Sequence, residues 1–158
     1  MVKLQRKKAV MRKLFIYYSL TGNGEEVAKV LEGQGYEIRR VYEKKKMPKS
    51  FFFRVFIGGF RAGIKAKAKL IDYDPNVSDY EQIVIGSPVW NGRFPPAINA
   101  VLKKTSLQGK DLTFLFYSGS GEAPKATLVV NRDYPDAHVL YLQEPKKYPQ
   151  ELEKLKSL

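Results

Sequence analysis

"KLFIYYSLTGNGEEVAKVL", residues 13–31, decides the fold. The run KLFIYY at 13–18 is nearly all apolar, the mark of a strand buried on both faces, as in parallel sheets. It gives way to Ser19, Leu20, Thr21, Gly22, Asn23 and Gly24, after which Val27, Ala28, Val30 and Leu31 trace the apolar stripe of a helix over 23–33. Asn23 and Glu26 have the spacing of a capping box. A buried strand running straight into an amphipathic helix is the opening of a right-handed crossover unit.

The rest of the chain repeats the alternation. Strands are expected at 36–42, 82–87, 112–117 and 138–142, and helices at 51–68, 95–105, 124–132 and 148–157. Residues 36–42 alternate arginine with apolar side chains and read as an edge strand. No internal repeat or low-complexity linker divides the chain, and its 158 residues fit one domain with a core of its own. The expected architecture is therefore a doubly wound α/β sandwich.

Composition narrows the chemistry. The chain has no cysteine, which removes disulfides, thiolate nucleophiles and cysteine-held metal clusters, and its one histidine, His138, falls within a strand. No apolar run approaches the roughly 20 residues that span a bilayer. The basic N-terminus lacks a signal-peptide core, so a cytoplasmic protein is expected, with residues 1–10 either a basic extension or an upstream start ahead of Met11. The net charge of +12 is uneven: residues 1–70 carry 18 Lys/Arg against 5 Asp/Glu, and residues 71–158 carry 10 against 11. Such a field favours acidic or phosphate-bearing partners, or is a solvated lysine-rich face.

In open parallel sheets ligands sit beyond the carboxyl ends of the strands, at the switch point of strand order. Three loops occupy that edge: Ser19–Gly24, the segment SPVWNGRFPP at 87–96, and SGSGEAP at 118–124. In the first, small residues and a helix start offer backbone N–H groups, two hydroxyls and an amide, which suits a phosphate; ordinary helix-cap chemistry uses the same residues. The first loop matches neither the phosphate-loop nor the dinucleotide fingerprint. In the second, Trp90, the only tryptophan, can stack a planar ligand or pack beneath its own loop. Ser120 lacks the flanking glycines of a nucleophile elbow, since Ser118 and Glu122 stand at those places.

Together the segments SLTGN, IVIGSPVWNGRFPPAINAVL and LTFLFYSGSG, in this order and spacing, resemble the flavodoxin family over roughly residues 12–142. The resemblance implies a flavodoxin-like three-layer sandwich, a five-stranded parallel sheet of order 2-1-3-4-5 with helices on both faces, and bound FMN. It implies that Ser19, Leu20, Thr21, Gly22, Asn23 and Gly24 hold the phosphate, with Gly24 where the family more often has threonine. Ser87, Pro88, Val89, Trp90, Asn91 and Gly92 would flank one side of the flavin ring, and Ser118, Gly119, Ser120 and Gly121 the other. The Asn91–Gly92 peptide would turn to accept a hydrogen bond from reduced flavin N5.

Two features depart from that pattern. The family's carriers are acidic around the flavin edge, whereas the first half of this chain is basic, which points to acidic redox partners. The segment at 44–73 is longer and more aromatic than in a minimal flavodoxin; Phe53, Ile57, Phe60 and Ile64 form a stripe that reads as a crossover helix, a membrane-surface or quinone-approach element, or a docking face. The expected function is one- or two-electron transfer through bound FMN. The alternative is an FMN-dependent quinone or NAD(P)H oxidoreductase on the same fold. A flavin-free basic module acting on nucleic acid is more remote, since no RNA or DNA motif is present.

Overall fold

A computed structural model of the chain describes residues 10–44 and 68–158. All but the last residue of the expected helix at 51–68 and most of the basic aromatic segment 44–73 lie outside the described residues, as does nearly all of the N-terminal extension. The elements in chain order are β1 (Lys13–Tyr17), α1 (Asn23–Gly33), β2 (Tyr36–Arg40), β3 (Gln82–Pro88), α2 (Pro96–Lys104), β4 (Asp111–Ser118), α3 (Pro124–Asp133) and β5 (His138–Gln143). A 3₁₀ helix, Pro149–Ser157, follows.

The five strands form one sheet of order β2-β1-β3-β4-β5, and every pair is parallel. This is the α/β flavodoxin-like architecture expected from the sequence. Phe15 pairs with Ile38 on one side and Val84 on the other, so the apolar runs of β1 and β3 occupy the centre of the sheet. Period-2 alternation divides their side chains between two layers. Leu14, Ile16, Ile83, Ile85, Phe114 and Phe116 pack with Ala97, Ile98 and Val101 of α2 and with Ala126 and Val130 of α3. On the opposite face, Phe15, Tyr17, Val84 and Leu115 pack with Val27, Ala28 and Leu31 of α1 and with Leu155 of the 3₁₀ helix. Leu31 is fully buried, a contribution of about 2 kcal/mol for a side chain of that size.

Two differences from the expected elements have physical causes. The terminal helix is 3₁₀ because Leu152, Leu155 and Leu158, all on the α1-side core, recur every third residue, the repeat of a helix with three residues per turn. The capping box does not form, since Gly22 takes the N-cap position in a left-handed conformation (φ 98°) and Asn23 becomes the first helical residue. The Glu26 carboxylate instead pairs with Lys29 at 3.0 Å. Both α2 and α3 open on a proline, whose missing N–H costs nothing in a first turn.

Because α1 covers one face and α2 the other, the chain reverses its winding between the neighbouring strands β1 and β3. That reversal opens a crevice at their carboxyl ends.

Candidate functional site

The loop after β1 begins where Tyr18 N–H donates to the Gly86 carbonyl at 3.2 Å and the chain leaves the sheet. Ser19 is buried; its hydroxyl accepts Gly24 N–H at 3.2 Å and donates to the Glu25 carboxylate at 2.6 Å. Arg40 pairs with the other oxygen of Glu25 at 2.6 Å, so this carboxylate at the helix start is neutralised from behind. Ser19 and Gly24 therefore brace the loop. The amide of Asn23 donates to Thr21 Oγ1 at 3.3 Å, and its oxygen accepts the N–H of Lys146 at 3.1 Å. Among the described residues no protein acceptor takes the N–H groups of Thr21, Gly22 and Asn23. A helix start leaves such groups without intrahelical partners and adds a partial positive charge there.

Gly24 is fixed by space. A Cβ on it would lie 2.6 Å from a Tyr17 ring carbon, 2.7 Å from Ser19 Cβ and 2.8 Å from the Tyr117 hydroxyl. The glycine at the place where the resemblance has threonine thus belongs to the packing of two tyrosines against the loop.

The loop after β3 is a two-residue hairpin. Asn91 (φ 52°) and Gly92 (φ 74°) are both left-handed, as a type I′ turn requires, and Trp90 and Arg93 exchange two backbone hydrogen bonds of 3.0 Å across it. The Gly92 carbonyl accepts Ala126 N–H at 2.8 Å, which ties the turn to α3. Trp90 meets Tyr18 edge-on, with ring centroids 6.0 Å apart and planes at 70°. Ser87 is fully buried and its hydroxyl donates to the Pro88 carbonyl at 2.8 Å.

The loop after β4 starts at Tyr117, whose buried hydroxyl donates to the Tyr18 carbonyl across the sheet. Burial, reinforced by the Glu25 charge, raises this phenol well above its ordinary range. Ser118 Oγ both donates to the Glu122 carbonyl and accepts Glu122 N–H, each at 3.0 Å, closing the SGSG turn on itself. Ser120 Oγ accepts the same N–H at 3.3 Å, and Gly121 has φ 73°.

These loops enclose a cavity of about 270 Å³ lined by Leu20, Thr21, Asn23, Pro88, Val89, Trp90, Tyr117, Ser118, Gly119 and Glu144. Of the residues singled out in the sequence, Leu20, Thr21, Asn23, Pro88, Val89, Trp90, Ser118 and Gly119 stand on its wall. Ser19, Gly22, Gly24, Ser87, Asn91, Gly92, Ser120 and Gly121 are not on the wall; Gly22 stands between the wall residues Thr21 and Asn23, and the others belong to the loops that carry it. Glu144 and, beside the first loop, Lys146 were missed, although the rule that selected the other loops points equally to QEPKK, the segment after β5. Glu144 reaches the cavity through a left-handed conformation (φ 36°), with its N–H donated to the Ser118 carbonyl at 3.1 Å. The wall carries one carboxylate and no imidazole, and no group of residues suited to a metal occurs among the described residues. No helix among them is long and apolar enough to cross a membrane.

No protein-family profile and no curated protein matches the chain. Solved structures do share its fold. A candidate flavoprotein from Bacteroides uniformis ATCC 8492 superposes with a TM-score of 0.69 at 21% identity, covering 84% of this chain and 90% of that one. A candidate flavoprotein from Bacteroides eggerthii DSM 20697 gives 0.68 at 21% identity over 82% and 87% of the two chains. A flavoprotein in complex with FMN from Lactobacillus acidophilus NCFM gives 0.64 at 18% identity over 89% and 97%. The class thus defined is the flavodoxin-like α/β fold with a ligand-sized cleft at its switch point.

Proposed function

We propose that the chain binds FMN in the β1/β3 crevice and works as an electron-transfer protein. The observation that carries this reading is one cavity with Thr21 and Asn23 on its wall and Gly22 between them, their N–H groups without a protein acceptor among the described residues, and apolar or aromatic walls from Leu20, Val89, Trp90 and Tyr117. An anion suits the first set and a planar ring the second. That a protein of the same fold is described in complex with FMN supports the choice of ligand.

In this reading Thr21, Gly22 and Asn23 hold the phosphate, Leu20, Pro88, Val89, Trp90, Ser118 and Gly119 flank the ring, and Ser19, Gly24, Ser87, Asn91, Gly92, Ser120 and Gly121 set the loop shapes. Bound FMN would supply one- and two-electron redox chemistry. Trp90 stands on the wall against Tyr18, and the type I′ turn at Asn91 and Gly92 holds it in place. The wall offers little for proton transfer, which favours a carrier over an enzyme: Tyr117 is committed to the Tyr18 carbonyl with a raised pKa, leaving Glu144 as the one carboxylate. The basic first half of the sequence suits acidic redox partners.

Titration of the purified protein with FMN, followed by reduction and steady-state assay, tests this. The carrier reading expects saturable FMN binding, reversible reduction and no sustained NAD(P)H consumption with a quinone. Steady turnover would replace it with the oxidoreductase reading, and failure to bind FMN at micromolar concentration would reject both.

A further inference from the structure

The turn after β5 lies against the loop after β1. Its backbone is pinned there by Lys146 N–H donating to Asn23 Oδ1 at 3.1 Å, a contact between residues 123 apart in the chain. The Lys146 side chain then passes over Gly22, where an added Cβ would meet its Cδ and Nζ at 3.1 Å, and Nζ donates to the Thr21 carbonyl at 3.2 Å. A neutral carbonyl satisfies one of three ammonium protons.

The neighbouring charges are already matched. Arg40 pairs with Glu25 at 2.6 Å and Lys29 with Glu26 at 3.0 Å, while the Lys147 ammonium rests 5.2 Å from the centroid of the Tyr148 ring. Lys146 makes no ion pair with a carboxylate among the described residues. Its ammonium therefore stands as an uncompensated cation on the loop whose N–H groups at Thr21, Gly22 and Asn23 are also unpaired. The packing at Gly24 leaves no space for the further hydroxyl that threonine would bring.

We infer that Lys146 is the charge-pairing residue for the ligand's phosphate monoester, so that the cleft selects the phosphorylated flavin over its dephosphorylated form. The inference rests on the flavin reading of the cleft. A monoester carries nearly two negative charges at neutral pH, and charge-assisted hydrogen bonds to it are stronger than neutral ones. Because Lys146 is exposed, part of the gain is screened by solvent and salt.

The test is a fluorescence-quenching titration of wild type, Lys146→Gln and Lys147→Gln with FMN and with riboflavin, at low and high salt. Lys146→Gln is expected to weaken FMN about tenfold at low salt, or about 1.4 kcal/mol. Riboflavin affinity stays unchanged, and the difference shrinks at high salt. Lys147→Gln is expected to leave the ratio of the two affinities as in wild type. A wild-type ratio in Lys146→Gln, or equal weakening of both flavins, overturns the inference while leaving the flavin reading intact. If wild type binds neither flavin, the flavin reading fails, and melting with inorganic phosphate decides the role of Lys146. Stabilisation of wild type but not of Lys146→Gln retains it as an anion-binding residue, and no difference between them removes it.

Discussion

Gly24 offers the sharpest test of the loop's packing. Its backbone is helical and not left-handed, so a substitution there is opposed by space alone. The atoms 2.6–2.8 Å from an added Cβ are not free ends. Tyr17 is buried and stacked on Phe15 at 5.0 Å, and Tyr117 is buried with its hydroxyl on the Tyr18 carbonyl. Overpacking costs about 1–3 kcal/mol, and displacing Tyr117 adds about 1–3 kcal/mol by leaving a buried carbonyl unpaired. Alanine recovers about 1 kcal/mol of helix propensity over glycine. The net expectation for Gly24→Ala is a loss of about 3 kcal/mol, or about 6–12 °C for a chain of this size. Gly24→Thr, which restores the residue the resemblance favours, loses more because its β-branch adds a second atom. Thermal unfolding of the ligand-free proteins by circular dichroism measures this. A Gly24→Ala variant melting at or above wild type would refute the account of why glycine stands there.

Two other substitutions test separate parts of the structure. The Tyr36 hydroxyl is buried without a hydrogen-bond partner among the described residues, so Tyr36→Phe is expected to match wild type or exceed it by about 1 kcal/mol in urea unfolding at pH 7. Burial raises the Tyr36 phenol from 10.0 to about 12. A group whose folded pKa lies above its unfolded one stabilises fully below the unfolded value and loses that contribution as pH climbs through the folded one. The advantage of Tyr36→Phe should therefore widen between pH 10 and 12; a gap that narrows there contradicts this. Trp90→Ala should weaken FMN and riboflavin alike, by about fivefold for a lost ring contact of about 1 kcal/mol. A change confined to FMN in the same titration would place Trp90 away from the ring.

The sheet was legible because β1, β3 and β4 are runs of apolar residues too continuous to face water on either side, and helices at 3.6-residue spacing separate them. The turn falls at Asn91-Gly92 because few other residue pairs adopt two successive left-handed conformations. The start of α1 was not fully legible. Asn23 and Glu26 have the capping-box spacing, yet the left-handed Gly22 shifts the cap by one residue, a backbone choice that side-chain spacing does not record. The terminal 3₁₀ helix was read as an ordinary helix because an i, i+3 pair fits both; only the third leucine in step, Leu158, separates them. Lys146 and Glu144 escaped because their place depends on β5 pairing with β4 and on the turn after β5 crossing the carboxyl edge of the sheet to the loop after β1. Local sequence around QEPKKY carries no trace of Asn23 or Ser118. Gly24 reads in sequence as a lost hydroxyl, whereas the structure makes it the floor on which Tyr17, Ser19 and Tyr117 meet.

Amide chemical-shift mapping during an FMN titration decides whether the switch-point crevice is a flavin site. Saturation is expected at one molar equivalent, with the large shifts confined to residues 20–24, 89–92, 117–121 and 144–146. Shifts clustered elsewhere, or none at micromolar FMN, would contradict it.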